Sequence, residues 1–267
     1  MSSARRIAIK LRSYVTRRLS RPGRKQKTPV FPDPVAVPAT HPKGLAYVVG
    51  DPIFSIPIER CRYTDGRRYS YSEHHFLQYY RNGFKTFRSF YQAHQPKNIF
   101  EYYFLSAPRK TSASLEDTPW LAYCESRPPR REAGLLDSVH GCQICGPASE
   151  ERITSEARRL DHVLASIRQH GFRPEMGGHV RGHFMLRRDG QWVFVIREGF
   201  HRVAALVHLG HTNIDVRSHP RYPRFIEEAD SKFWPLVQAG VLTQNEAMEM
   251  FEQFFKAERE LQVFAAP

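Results

Sequence analysis

The segment at residues 191–217 constrains the fold more than any other stretch of the chain. It reads QWVFVIREGFHRVAALVHLGHTNIDVR, so an apolar run, a glycine, a second apolar run and a third follow one another. This order predicts a buried strand at residues 192–196, a sharp turn at Gly199, a helix at residues 203–209 and a short strand at residues 214–216. The rest of the chain has to pack around this unit.

The residues at this turn predict an anion-binding site. His201 and Arg202 lie just inside the predicted helix, where the first backbone N–H groups have no partner within the helix and the helix dipole is positive. The cation of Arg202 adds to both effects. Gly199, Phe200, His201 and Arg202 are therefore the candidate residues for binding an anion such as phosphate.

The positive charge of the chain is concentrated near its first residue. The sequence has a net charge of +13, and residues 1–27 hold ten Lys or Arg with no Asp or Glu, which leaves +3 for the remainder. A net charge this small on residues 28–267 does not by itself indicate that they bind nucleic acid. Nucleic acid is thus a partner that the charge allows but does not favour.

Residues 4–19 place apolar side chains on one helical face and basic side chains on the others. This basic amphipathic helix has three interpretations: a disordered tail, attachment to an anionic membrane surface, or contact with nucleic acid. The Pro-rich residues 20–43 predict an extended linker. No apolar run approaches the ~20 residues that span a bilayer, so we expect a cytoplasmic protein, peripheral at the inner membrane face if the tail attaches there.

We expect an α+β fold, in which a small mixed β-sheet with packed helices follows an aromatic-rich helical region and precedes a C-terminal helix. The predicted segments are residues 1–29 (basic tail and start of the linker), 30–148 (N-terminal α+β extension), 149–220 (core) and 221–267 (C-terminal helical cap). Local signals predict β-like pieces at residues 45–71 and helices at residues 73–81, 84–93, 150–170 and 244–260. The aromatic residues at helical spacing are expected in the core rather than as base-stacking surfaces.

Cys142 and Cys145 form a CxxC pair that follows His140. Such a pair is half of a zinc site, which Cys61 and Cys124 would have to complete, or a redox pair. No second CxxC supports zinc, and Gly-Pro follows the pair where a thioredoxin-type helix would start. Ordinary loop cysteines are therefore the favoured interpretation.

Carboxylates on the predicted helix at residues 150–170 are candidates for metal binding or acid–base chemistry. They are Glu150, Glu151, Glu156 and Asp161, and Glu198 lies beside the turn. Carboxylates near a phosphate site suit Mg²⁺, which prefers one or two of them plus substrate phosphates. We select Glu151 and His201 as the catalytic candidates, and the alternative is that the acids only match the helix dipole.

Residues 160–217 also carry an ordered set of features. A helix at residues 160–167 leads through residues 171–174 to a strand at residues 184–186, then to an Asp-Gly turn, a strand that ends in Gly199-Phe-His-Arg202, and a final strand. In this order they resemble the ParB N-terminal/sulfiredoxin superfamily. The resemblance implies a compact α+β core whose turn at residues 199–202 cradles the phosphates of a nucleoside triphosphate with Mg²⁺.

Position by position, Gly199 and Arg202 match the turn glycine and the final arginine of the GERR-type and GGCHR-type motifs of that superfamily. His201 matches the histidine of the second type. Phe200 stands where sulfiredoxins carry their reactive cysteine and partition proteins a glutamate, which excludes sulfinic acid reduction by that mechanism. No helix-turn-helix is evident after residue 217, so a role in chromosome segregation is not favoured.

Three functions follow from these residues. The first is a nucleotide-dependent phosphotransferase or hydrolase, in which residues 199–202 hold phosphates while His201 and Glu151 transfer protons or bind Mg²⁺. The second is a non-catalytic binding or scaffold module, attached to a membrane surface by the basic tail. The third is a ParB-like nuclease or DNA-binding protein. At the level of sequence, the choice between an enzyme and a binding module stays open.

Overall fold

A mixed β-sheet organises the computed structural model, which describes residues 34–38, 42–105, 111–115, 117–121, 131–259 and 261. The basic helix predicted over residues 4–19 lies outside these residues, as does Cys124. The strands in the described part are β1 (Val35–Ala36), β2 (Phe54–Pro57), β3 (Cys61–Arg62), β4 (Arg131–Glu132), β5 (Leu135–Leu136), β6 (Val180–Leu186), β7 (Trp192–Glu198), β8 (Asn213–Ser218) and β9 (Phe225–Glu227).

Seven of these strands form one sheet, in the order β1-β2-β8-β6-β7-β3. Strand β9 pairs with the second half of β6, on the side where β8 pairs with the first half. The β1–β2, β3–β7, β6–β8 and β6–β9 pairs are parallel, and β2–β8 and β6–β7 are antiparallel. Strands β4 and β5 form a separate hairpin. The sheet is therefore mixed, as the sequence predicted.

The described α-helices are α1 (His75–Ala93), α2 (Ile99–Tyr102), α3 (Asp137–His140), α4 (Glu150–His170), α5 (Pro174–Gly177), α6 (Phe200–His208), α7 (Pro235–Gln238) and α8 (Gln244–Glu252). Helices α1, α4 and α6 pack against one another. Ser149 caps α4, and Thr243 with Glu246 forms the capping box of α8. None of the helices in the described ranges is both long and apolar enough to cross a bilayer.

Successive side chains along each strand point to opposite faces of the sheet, and both faces are buried. On the helical face, Phe184 and Phe194 join a core with side chains of α1, α4 and α6. On the opposite face, Met185, Val193 and Val195 join a second core that includes residues of α7 and α8. Strands β2 and β3, from the predicted N-terminal extension, share this sheet with β6, β7 and β8.

The aromatic helical region matches its predicted role. Phe76, Phe87, Phe90 and Tyr91 are buried, so they form core and not a base-stacking surface. The helices predicted at residues 73–81 and 84–93 form the two parts of α1. They are separated by a break at Gly83, whose φ of 79° and ψ of −170° are not helical. A glycine adopts this conformation without the steric penalty of a Cβ.

Two local predictions were wrong. Residues 45–49 were expected to form a strand, but Pro42–Tyr47 is a 3₁₀ helix in which Pro42 and Leu45, three residues apart, are both buried. That spacing is the period of a 3₁₀ helix. The last helix ends at residue 252 and not at 260, and the Phe254 carbonyl accepts a hydrogen bond from Arg62 Nε at 2.8 Å. Tertiary contacts thus replaced the local preference of the chain.

Candidate functional site

The turn between β7 and α6 has the geometry that its sequence predicted. Gly199 is the N-cap of α6 and adopts a left-handed conformation with φ of 93°, and the helix begins at the next residue. A Cβ placed on Gly199 would lie 2.9 Å from Arg202 Nη2 and 3.0 Å from Val180 Cγ2. The backbone here therefore needs a glycine both for its φ and for the close approach of its neighbours.

The guanidinium of Arg202 folds back over the turn. Its Nη1 donates to the carbonyl of Gly177 at 2.7 Å and also to the carbonyl of Gly178. Burial lowers the pKa of Arg202, while the charge of Glu198 opposes this shift. Arg202 thus joins the end of α5 to the start of α6 and keeps a cation at the turn.

His201 points into the protein rather than toward the turn. Its ring is 6% exposed, stacks on Phe76 at a centroid distance of 4.6 Å, and places Nε2 2.7 Å from Glu156 Oε2. Burial alone would raise the pKa of Glu156, but the hydrogen bond and charge of His201, with Arg159 and Arg152, hold it below its ordinary value. The imidazole therefore joins α6 to α4 and does not face a ligand at the turn.

Phe200 is also part of the interior. Its ring meets the ring of Tyr63 edge-on at 4.8 Å and is buried in the main core. The proposed role of Phe200 in phosphate binding can therefore involve only its backbone N–H, because the side chain is committed to packing. The packing of Phe200 in the core fixes the first residue of α6 against the sheet.

The carboxylate that reaches α6 is Glu156, not Glu151. The Glu151 side chain is 73% exposed, and its oxygen lies 3.1 Å from His140 Nδ1. Glu156 follows the buried Ile153 by three residues and precedes the buried Leu160 by four, so it shares their inward stripe of α4. The selection of Glu151 as a catalytic residue has no contact with His201 to support it.

A group of charged residues that the sequence did not indicate lies at the end of the sheet that carries the Gly199 turn. We call it the edge cluster, and its members are Asp51, His179, Arg181 and Arg217. Arg181 on β6 and Arg217 on β8 are register partners in the parallel pair. Both guanidinium groups contact Asp51 Oδ2, at 3.2 Å and 2.9 Å. The signal was present as a basic residue at an outward position of each strand, but only the register shows that the two are neighbours.

The edge cluster borders the turn. Arg181 is the register partner of Glu198, the residue immediately before Gly199. Burial lowers the pKa of His179, and the charges of Arg217 and Arg181 lower it further, with a smaller contribution from Arg202. The positive potential of three arginines therefore meets at this edge.

A second polar group lies beside it on the same face of the sheet. The His183 ring is buried and stacks on Tyr222 at 5.0 Å, and the Tyr222 hydroxyl accepts a hydrogen bond from Arg197. Neither ring nitrogen of His183 has a hydrogen-bond partner among the described residues. Burial, followed by the charges of Arg197 and His219, lowers the pKa of His183 well below its ordinary value. His183 is thus held as a neutral ring.

Comparisons with protein-family models, curated proteins and solved structures find no match for this chain. Within the ranges that the structure describes, no group of three or more His, Cys, Asp or Glu residues is arranged to hold a metal ion.

The Gly199 geometry predicts a specific cost for an added methyl group. We expect Gly199→Ala to lower the free energy of unfolding by about 2–3 kcal/mol, since it combines an unfavourable φ with close contacts to Val180 and Arg202. Gly210→Ala is the matched control, because Gly210 has a φ of 83° with nothing within 4 Å of the added Cβ, and should cost about 1 kcal/mol. Urea denaturation measures both, and equal losses would contradict the packing argument.

Proposed function

We propose that this chain binds a phosphorylated ligand at the edge of the sheet where the Gly199 turn and the edge cluster meet. The observation that carries the proposal is the pairing of Arg181 with Arg217 on neighbouring parallel strands, with both guanidinium groups in contact with the carboxylate of Asp51. The resemblance of residues 160–217 to the ParB/sulfiredoxin superfamily supports a nucleoside triphosphate with Mg²⁺ as the ligand class.

The charges at this edge favour an anion. Like charges on neighbouring strands repel, and the side chain of Asp51, which both guanidinium groups contact, is 43% exposed, so water screens its charge. Guanidinium groups match the geometry of phosphate oxygens and bind them through paired hydrogen bonds. A phosphate would therefore add a second anion where two arginines already lie side by side.

The helix end contributes in the same direction. The N–H groups of Phe200 and His201 belong to the first turn of α6, where backbone donors lack helical partners. Arg202 adds a cation to this end of the helix. In the proposed function, His201 and Glu156 hold α6 in place from the inside, and the ligand contacts backbone and arginines on the outside.

Binding is the part of the function that the geometry favours over phosphotransfer or hydrolysis. The two predicted catalytic residues do not contact each other, because His201 faces the interior and pairs with Glu156, whereas Glu151 contacts His140. The carboxylates that do lie at this edge are Asp51 and Glu198, and these would be the residues to share Mg²⁺ with ligand phosphates. A nucleotide-binding module is therefore the conclusion that we put forward.

Titration calorimetry of the full chain with ATP, CTP, GTP and inorganic pyrophosphate, with and without Mg²⁺, tests the proposal. We expect Arg181→Gln and Arg217→Gln each to weaken binding about 10-fold to 100-fold, because each removes a charge-assisted contact of about 1.5–3 kcal/mol. The control is Arg88→Gln, which breaks an exposed ion pair between α1 and α4, two helices that contribute no residue to the edge cluster, and should leave affinity within twofold.

Two results would overturn the proposal. One is the absence of binding of all four anions to the wild-type chain at low salt. The other is an equal loss of affinity in Arg88→Gln, which would indicate nonspecific attraction to the basic chain as a whole. Circular dichroism of each variant separates loss of binding from loss of folding.

A further inference from the structure

The two cysteines of the CxxC pair lie in contact in the loop between α3 and α4. The Cys142 and Cys145 sulfurs are 3.9 Å apart, and both cysteines are free thiols in the structure. Cys142 is half-buried, whereas Cys145 is only 6% exposed. Cys142 is thus the more exposed of the two residues, and the sulfur of the buried Cys145 lies next to its own.

Buried side chains donate hydrogen bonds to the backbone carbonyls of this loop. The Gln143 carbonyl accepts hydrogen bonds from His75 Nε2 and from the Tyr91 hydroxyl, both at 3.0 Å. The Ile144 carbonyl accepts one from Arg67 Nη2 at 3.2 Å. Because the backbone is anchored at these two residues, the cysteines are held with their sulfurs 3.9 Å apart, and disulfide formation has to shorten this distance to about 2.05 Å.

The two thiols differ in acidity as well as in access. The hydrogen bond from Cys145 lowers the pKa of Cys142, and although burial opposes this, the backbone N–H groups of Ile144 and Cys145 lower it further. The same hydrogen bond and burial raise the pKa of Cys145. The thiolate, which is the nucleophile in thiol–disulfide exchange, is therefore favoured on Cys142, the more exposed of the two residues.

We propose that Cys142 and Cys145 form a redox-active dithiol that exchanges with small-molecule disulfides of the glutathione type. This activity is separate from anion binding at the Gly199 turn and rests on different residues. Cys142 is the attacking sulfur and Cys145 the resolving sulfur.

The exchange has two steps. The Cys142 thiolate attacks one sulfur of the disulfide, so that a mixed disulfide forms on Cys142 and one thiolate leaves. Cys145 then loses its proton to solvent and attacks the Cys142 sulfur, which closes the Cys142–Cys145 bond and releases the second thiolate. Two protein thiols are oxidised by two electrons, and the disulfide is reduced to two thiols.

Cys61 supplies an internal reference in the same chain. It is fully buried, and burial raises its pKa to about 12, so it is inert in the folded protein. A reagent that modifies Cys142 and Cys145 but leaves Cys61 unchanged therefore reports on the folded loop.

Peptide mass spectrometry tests the proposal on the full chain. Reduced protein is incubated with oxidised glutathione at pH 7, the free thiols are alkylated, and the tryptic peptide that contains both Cys142 and Cys145 is analysed. We expect this peptide to lose two hydrogens, and Cys145→Ser to accumulate one glutathione on Cys142. In Cys142→Ser, modification of the remaining Cys145 should be at least about tenfold slower.

Three results would contradict the proposal. It fails if Cys142 and Cys145 of the folded wild-type chain are still alkylated after treatment with oxidised glutathione. It also fails if the mixed disulfide on Cys142 persists in the wild type, or if the internal disulfide forms only in denaturant, where Cys61 reacts as well. These readings use the wild-type chain, so they hold even if a variant does not fold.

Discussion

Lowering the pH from 7 to 5 is expected to reduce the free energy of unfolding, by up to about 2 kcal/mol for each buried histidine that stays neutral in the folded chain. His74, His75 and His183 are almost completely buried. Burial, followed by neighbouring cations that include Arg67 and Arg197, lowers their pKa well below the ordinary value. The unfolded chain takes up these protons near pH 6.5 while the folded chain excludes them, so stability falls as the pH falls.

Urea denaturation between pH 8 and pH 5 measures this slope. His183→Leu should reduce it by about 1.4 kcal/mol per pH unit below pH 6.5, because one titrating ring is removed. The substitution is expected to be tolerated, since the His183 nitrogens have no partner among the described residues. His170→Gln, at the exposed end of α4, is the control. A slope that does not change in His183→Leu would contradict the assignment of a neutral buried ring.

Glu156 affects stability in a different pH window. Its folded-state pKa lies below the ordinary value for glutamate, so its contribution is present above that value and is lost only as the pH falls through the folded-state pKa. The change between pH 7 and pH 5 is therefore assigned to the histidines. Further loss at lower pH would include the contact between Glu156 and His201.

Asp65→Ala is expected to lower the free energy of unfolding by about 3–5 kcal/mol, because it leaves a buried cation without its carboxylate. Asp65 and Arg67 have no exposed side-chain surface, and Arg67 Nη2 lies 2.7 Å from Asp65 Oδ2. Arg67 also donates to His75 Nδ1 and to the Ile144 carbonyl. The ion pair thus joins the turn after β3 to α1 and to the cysteine loop.

The matched control for this variant is Glu150→Gln, which breaks the exposed ion pair with Arg88. Exposed pairs contribute about 0–1 kcal/mol, so this change should be small. Chemical denaturation at pH 7 compares the two substitutions. A loss in Asp65→Ala as small as that in Glu150→Gln would show that Arg67 finds another partner or water when Asp65 is removed.

Elements with strong local signals were predicted well from sequence. Helix α4 begins after Ser149, as its cap indicated, and the Gly199 turn lies between a buried strand and a helix. The predicted helix began at residue 203, but α6 begins at Phe200, directly after the glycine. These features were accessible because a cap, a helical stripe or a turn glycine is encoded within a few neighbouring residues.

The candidate site was predicted less well. The sequence identified helix α4 as the source of a carboxylate, but it did not distinguish Glu151 from Glu156, because that choice depends on which stripe of the helix packs inward. It also named Phe200 and His201 as ligand contacts, whereas both side chains are interior. A residue at a helix N-terminus can face the ligand or the core, and the packing of α6 on its neighbours decides which.

The sequence by itself determined a mixed α+β chain with a glycine turn between a strand and a helix at Gly199, because period, capping and glycine placement act over short distances. Only the tertiary structure decided that Arg181 and Arg217 are neighbours, since β7 and α6 separate β6 from β8 along the chain. The burial of His75 and Arg67 beneath the cysteine loop likewise depends on contacts between distant segments. Such contacts arise from the packing of the whole sheet and its helices, which no short stretch of sequence encodes.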